Sequence, residues 1–165
     1  MIKQQTIEKQ LQQWLIGAKK VVVIGIGNPI RSDDNVGVKI VEALQGKVSS
    51  NIFLIEAETV PEGYMYDIEE FKPTHILIVD AALLGLKFGQ AKLVPHENIP
   101  NHTTISSHTL PLRIFSEYLI KSTGAKIGFL LIEPKNTEFG EKLSPEIQQA
   151  TDEIFLILKK LLSKL

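Results

Sequence analysis

The segment Val21–Ile26, VVVIGI, is apolar and mostly β-branched with no alternation, and it limits the possible folds more than any other stretch. A strand with one solvated face alternates, whereas a strand covered on both faces reads as a continuous apolar run. Gly27, Asn28 and Pro29 bound the run, so it is read as a central parallel strand. Parallel strands need a crossover connection, usually a helix, between them. The following residues supply one: Gly37, Ile40, Val41 and Leu44 return to helical spacing, with Asp33 or Asp34 as candidate N-cap and Gly46 near the end.

The alternation continues along the chain. Ile52–Ile55 reads as a strand, a helix carrying Ile68 and Phe71 follows Pro61, and His75–Val79 reads as another strand. Gln90–Val94 is a shorter strand candidate, placed close enough after its predecessor, across Gly85 and Gly89, for antiparallel pairing. A helix begins near His108 with Pro111, Phe115 and Tyr118 on one face, and Ile127–Ile132 is the last buried strand. Ser144 and Pro145 open a final helix whose core stripe is Ile147, Ala150, Ile154, Ile157 and Leu161. Ahead of all this, Ile7, Leu11, Trp14 and Leu15 predict an amphipathic helix stopping at Gly17. The expectation is one α/β domain over residues 1–165: an added N-terminal helix over 1–18, then a three-layer α/β/α unit over 20–165. Its sheet is mixed, mostly parallel, and has about five strands.

Composition narrows function chiefly by exclusion. With no cysteine among 165 residues, thiol nucleophiles, thiolate metal sites and disulfides are absent, so any metal must be held by oxygen and imidazole. A formal net charge of -1 gives no general attraction to phosphate backbones, and nucleic acid is not an expected partner. No run approaches membrane-spanning length and the first 17 residues lack the pattern of a secretory signal, which points to a cytoplasmic protein without membrane insertion.

In an open parallel sheet, ligands bind beyond the carboxyl ends of the strands. Asp34 in the loop after the first strand, Asp80 at the end of the third and His108 opening a later helix would collect there. Two carboxylates and an imidazole suit a borderline divalent metal and leave positions open for substrate or water. Taken singly, each residue also has a structural explanation: an aspartate capping a helix, Asp80 closing a strand into a turn, His108 as a surface cap. Spacing alone does not choose. Glu56 and Glu58 follow the second strand and either reach the same crevice or sit in solvent, while His102 is a lesser candidate on the loop before His108. His75 reads as a core or edge position, and His96 as a loop residue.

Three segments in order, VVIGIGNPIRSDDNVG (22–37), VDAALLG (79–85) and SSHTLPL (106–112), resemble the hydrogenase maturation endopeptidase family, a peptidase M52-like group with a phosphorylase/hydrolase-like fold. The resemblance runs from about the first strand to the final helix. It implies that Asp34, Asp80 and His108 bind metal and carry catalysis, with no organic cofactor. It implies a substrate too, the large-subunit precursor of a nickel-iron hydrogenase, which loses a C-terminal peptide after nickel insertion. Nickel would arrive with that precursor and serve as the recognition signal. Held between the two proteins, it would align the scissile peptide and polarise its carbonyl or a water, with a carboxylate assisting proton transfer. The base is not assigned. The SSHTLPL segment is most similar to the branch serving membrane-linked, hydrogen-evolving enzymes.

This chain departs from the family pattern at two places. Where the family commonly has glycine on both sides of the acidic pair, it has Ser32 and Asn35, of which Asn35 is the milder change because asparagine tolerates left-handed backbone. Where an Asp-Gly-Gly element is common, it has Glu56-Ala57-Glu58-Thr59, implying a bulkier, more acidic rim. Rival readings are a peptidyl-tRNA hydrolase, similar at GIGNP and NVG but with Asp34 where a histidine is expected, and a dinucleotide-binding module on Gly25 and Gly27. The latter lacks the third glycine of its fingerprint, since Ile30 stands there. A non-enzymatic nickel carrier or assembly chaperone would use the same ligands without cutting.

Overall fold

The computed structural model describes residues 2–99 and 109–165. The elements in chain order are α1 (Ile2–Trp14), β1 (Val21–Ile26), α2 (Val36–Leu44), β2 (Ile52–Glu58), α3 (Met65–Phe71), β3 (His75–Ala81), β4 (Ala91–Pro95), α4 (Thr109–Thr123), β5 (Lys126–Ile132) and α5 (Pro145–Leu162). Short 3₁₀ turns at Ser32–Asn35 and Pro61–Tyr64 lead into α2 and α3.

The strands form one sheet in the order β2-β1-β3-β5-β4. β1 pairs in parallel with β2 and β3, and β3 with β5, while β4 runs antiparallel to β5. The central placement of β1 and β3 explains their unbroken apolar runs: every residue of both is buried. Alternate side chains then divide between two cores. Val21, Val23, Leu77, Val79, Leu130 and Ile132 pack under α1, α2 and α5. Val22, Ile24, Ile76, Ile78, Ile127 and Phe129 pack under α3 and α4. At roughly 1.5–3 kcal/mol for each large aliphatic side chain fully buried, this double layer is the main favourable term holding the fold.

Several expectations need correction. β4 does pair antiparallel, but with β5 and not with β3; its short length and the turn at Gly85–Gly89 left the partner open, and β5 offered a free edge. Neither Asp33 nor Asp34 caps α2, whose N-cap is Asn35 without a side-chain hydrogen bond. On α4 the buried face is Leu112, Phe115, Ser116 and Leu119, whereas Tyr118 is exposed. The α5 stripe uses Leu158 in the fully buried position, with Ile157 only partly covered.

α1 joins the main core through Ile7, Leu11 and Trp14. Trp14 meets His75 edge-on at a centroid distance of 5.1 Å and lies over Gly128, where a Cβ would fall 2.9 Å from the indole nitrogen. Glu8 pairs with Lys160 of α5 at 2.6 Å. His75 opens β3, so the Trp14 contact lies at the amino end of that strand, the opposite end from Asp80.

The two described histidines that are packed into the fold give a pH dependence. Burial pushes the pKa of His75 below its ordinary value of 6.5, and the nearby Lys126 ammonium adds to the effect. His96 hydrogen-bonds Ser116 Oγ through Nδ1 at 2.9 Å and stacks on Phe129. Burial lowers its pKa as well, against the opposing pull of Glu117 and Glu97, with Arg113 adding to the lowering. The unfolded chain therefore takes up protons first as pH falls below about 6.5, so stability is retained above that pH and lost below it. Urea midpoints should fall between pH 7.5 and 5.5, and a His75→Phe/His96→Gln double variant should flatten that slope. An unchanged slope in the variant would assign the acid sensitivity elsewhere.

Candidate active site

β1 ends at Ile26, and the chain must turn at once to reach the 3₁₀ turn lying over β3. Glycine makes the close approach possible. A Cβ on Gly25 would fall 2.5 Å from the carbonyl oxygen of Gly37, and one on Gly27 2.5 Å from that of Asp34. The start of α2 and the turn before it are thus set directly on the end of β1. This also occupies the approach through which Gly25 and Gly27 would contact a dinucleotide's pyrophosphate, so the glycines serve chain packing.

The turn separates its two adjacent aspartates. Asp33 points inward and is 0% exposed. Its Oδ1 accepts from Ser144 N at 2.7 Å, and its Oδ2 accepts from Lys135 N at 3.1 Å, Asn136 N at 2.8 Å and Ser144 Oγ at 2.7 Å. Four donors thus meet this carboxylate, three on Oδ2 and one on Oδ1. Asp34 turns the other way, toward the carboxyl edge, where its Oδ2 accepts from Asn28 N at 3.1 Å and 8% of the residue stays exposed.

Asp80, the penultimate residue of β3, reaches the same edge. Strand alternation puts its side chain on the α3/α4 side with Ile76 and Ile78. It is 0% exposed, and its Oδ1 accepts from Ala81 N at 2.8 Å. The 3₁₀ turn carrying Asp34 packs against β3, so the fold brings these two predicted carboxylates to one end of adjacent elements. His108 and His102 lie outside the described residues. Among the described residues, no group of three His, Cys, Asp or Glu side chains gathers to hold a metal ion.

The other candidates are dispersed. Glu56 accepts from Gln45 Nε2 at 3.2 Å, and Glu58 is exposed at a β-bulge with φ +53°. Left-handed backbone beside the acidic pair occurs at Ser32, φ +50°, while Asn35 has φ -88°. The departure from glycine that bears strain is therefore Ser32, not Asn35. Ser32 is held there by its backbone N–H to Gly140 O at 2.8 Å and its hydroxyl to Glu138 O at 2.9 Å.

Sequence reasoning passed over Glu133, the residue after β5. It is buried, and its Oε1 accepts from Leu84 N at 2.7 Å and Leu86 N at 3.0 Å. It thereby fixes the loop leaving β3 just beyond Asp80. A carboxylate ending a buried strand was the available signal, the same one that singled out Asp80. A groove of about 670 Å³ between α1, α5 and the β3–β4 loop, floored by Ile7, Ile154 and Ile157, includes neither Asp34 nor Asp80 among its lining residues. The chemistry-bearing carboxylates lie outside it.

The model of the hydrogenase maturation protease family matches residues 38–160. The chain belongs to this family. A Methanocaldococcus jannaschii protein assigned as a hydrogenase maturation protease is 35% identical, with 96% of this chain and 98% of that one covered. The hydrogenase 3 maturation protease of Escherichia coli K12 is 28% identical, covering 81% and 85%. Among solved structures, the [NiFe] hydrogenase maturation protease HycI of Thermococcus kodakarensis superposes with a TM-score of 0.84 at 28% identity, covering 92% of this chain and 97% of that one. The five-stranded mixed sheet with helices on both sides matches the fold of that solved structure, and the family is one of peptide-bond hydrolases. The peptidyl-tRNA hydrolase and dinucleotide readings give way. No helix among the described residues is long and apolar enough to cross a membrane.

Proposed function

We propose that this protease removes the C-terminal extension of a nickel-iron hydrogenase large-subunit precursor after nickel insertion, and that Asp34, Asp80 and His108 receive the precursor's nickel. The placement of Asp34 and Asp80 at one carboxyl edge carries the reading. Asp33, the other member of the acidic pair, is fully buried with both oxygens accepting from residues 135–144, which favours Asp34 as the ligand candidate. α4 begins one residue after His108 and packs on the sheet face to which Asp80 belongs. Two carboxylates and an imidazole form an open, oxygen- and nitrogen-based ligand set suited to a borderline divalent ion that brings its own substrate ligands. Nickel belongs to the substrate here, and the protein's groups orient the chain that carries it.

The rim suits a macromolecular substrate. Ile30, Val60, Leu83 and Phe139 project from separate loops following β1, β2, β3 and β5, and all are exposed, Phe139 by 85%. Glu56, Glu58 and Arg31 add charge to the same edge. The cytoplasm, where the precursor is made, is the expected compartment.

The test is the intact mass of a matched precursor, with and without inserted nickel, after incubation with the protease. The expected result is loss of a C-terminal peptide from the nickel-loaded form alone. Stable binding without shortening would instead establish a carrier or chaperone. Equal cutting of both forms would remove nickel from the recognition step.

A further inference from the structure

Asp33 is buried, charged in type, adjacent to Asp34, and unused by the proposed chemistry. It joins two distant parts of the chain. Around it, Asp33 N donates to Asn136 O at 3.0 Å, Ser32 N to Gly140 O at 2.8 Å, Gly140 N to Ile30 O at 2.9 Å and Arg31 Nε to Thr137 O at 3.2 Å. Residues 30–33 are therefore laid along the segment 135–144, and the Asp33 carboxylate accepts from both ends of that segment, Lys135–Asn136 and Ser144. Lys135 is in turn paired with Glu146 at 2.6 Å on the first turn of α5.

We propose that Asp33 is the positioning residue of the site: by docking the 3₁₀ turn onto residues 135–144, it fixes the direction in which the Asp34 carboxylate points. The step to hydrolysis rests on the function proposed above. Asp34 follows Asp33 in the chain, and Asp34 N donates to Arg31 O at 3.0 Å inside the docked turn. With the turn docked, Asp34 Oδ2 meets Asn28 N; with it loose, a rotation about one residue moves the carboxylate by more than the roughly 1 Å that catalytic alignment tolerates. A buried carboxylate meeting donors on both oxygens is well suited to this role. An amide in its place would have one acceptor oxygen and would turn an NH₂ toward N–H donors. Asparagine at 33 therefore disrupts one side of the docking while keeping size and shape.

The experiment compares the parent with Asp33→Asn in two measurements. Hydrogen exchange at the Asn28 amide reports the bond to Asp34, with the Val23 amide in the middle of β1 as reference. Kinetics on the matched nickel-loaded precursor separate kcat from KM. In a folded Asp33→Asn, the Asn28 amide should exchange about tenfold faster or more than in the parent after normalisation to Val23, and kcat should fall about tenfold to a hundredfold with KM nearly unchanged. A merely structural role would speed Asn28 and Val23 together. Unchanged Asn28 exchange, or unchanged kcat on a precursor that the parent cuts, overturns the proposal. If Asp33→Asn does not fold, Ser144→Ala deletes one donor to the same carboxylate and should shift both measurements in the same direction by a smaller factor; no shift there overturns it. If the parent cuts no competent precursor, the proteolytic reading fails, and the Asn28 exchange still decides whether Asp33 positions Asp34.

Discussion

Gly37→Ala is expected to lower the thermal midpoint by roughly 8–16 °C, the shift for a loss of about 4 kcal/mol in a chain of this size. Gly37 lies where α2 crosses the ends of β1 and β3. A Cβ there would overlap the carbonyl oxygen of Val79 and fall 2.5 Å from that of Ile26. Both obstacles are backbone atoms of central strands, so no rotamer change relieves the contact, and the cost exceeds the about 1–3 kcal/mol of ordinary overpacking. Gly63→Ala is the control. A Cβ at Gly63 has nothing within 4 Å, and its effect should stay within about 0.5 kcal/mol. Thermal unfolding followed by circular dichroism checks both. A Gly37→Ala midpoint as high as that of Gly63→Ala would show that α2 can lift from the sheet at little cost.

The second large effect is on activity. Asp34→Asn, Asp80→Asn and His108→Ala should each leave a folded protein whose processing of nickel-loaded precursor falls by about a hundredfold or more. Asp34→Asn keeps an oxygen able to accept from Asn28 N, and Asp80→Asn keeps one for Ala81 N, while each removes a charge from the proposed ligand set. Intact-mass time courses measure the loss, with thermal midpoints reporting integrity. Processing at the parent's rate by any one of the three would remove that residue from the site. Parental rates from all three would defeat the nickel-receiving reading while leaving family membership untouched.

The features legible in the sequence were those set by local pattern. Val21–Ile26 carried the pattern of a strand buried on both faces, and the period change through Gly37–Leu44 announced its crossover helix. Strands followed by polar residues placed Asp34 and Asp80 near one edge before any geometry was available. What local pattern could not supply was the difference between Asp33 and Asp34. The two are chemically identical neighbours, and the donors that claim Asp33 lie 102 to 111 residues further on. The partner of β4 was hidden for a related reason: proximity in sequence favoured β3, but β3 is already flanked by β1 and β5. At Ser32 the chain adopts a conformation that serine disfavours because Gly140 and Glu138 hold it there. His108, singled out by its motif, lies outside the described residues, so its part in the site rests on the sequence.

The hydrogen bonds from Lys135, Asn136 and Ser144 to Asp33 also bear on synthesis at the ribosome. β1, α2, β2, α3 and β3 come from the first half of the chain and can pair as they emerge, because their contacts are near in sequence. The segment that steadies the acidic turn is translated much later. A nascent chain would thus carry both aspartates and most of the sheet while lacking the support that aims one of them, and it would acquire a competent cleft only once the region through Ser144 had left the exit tunnel.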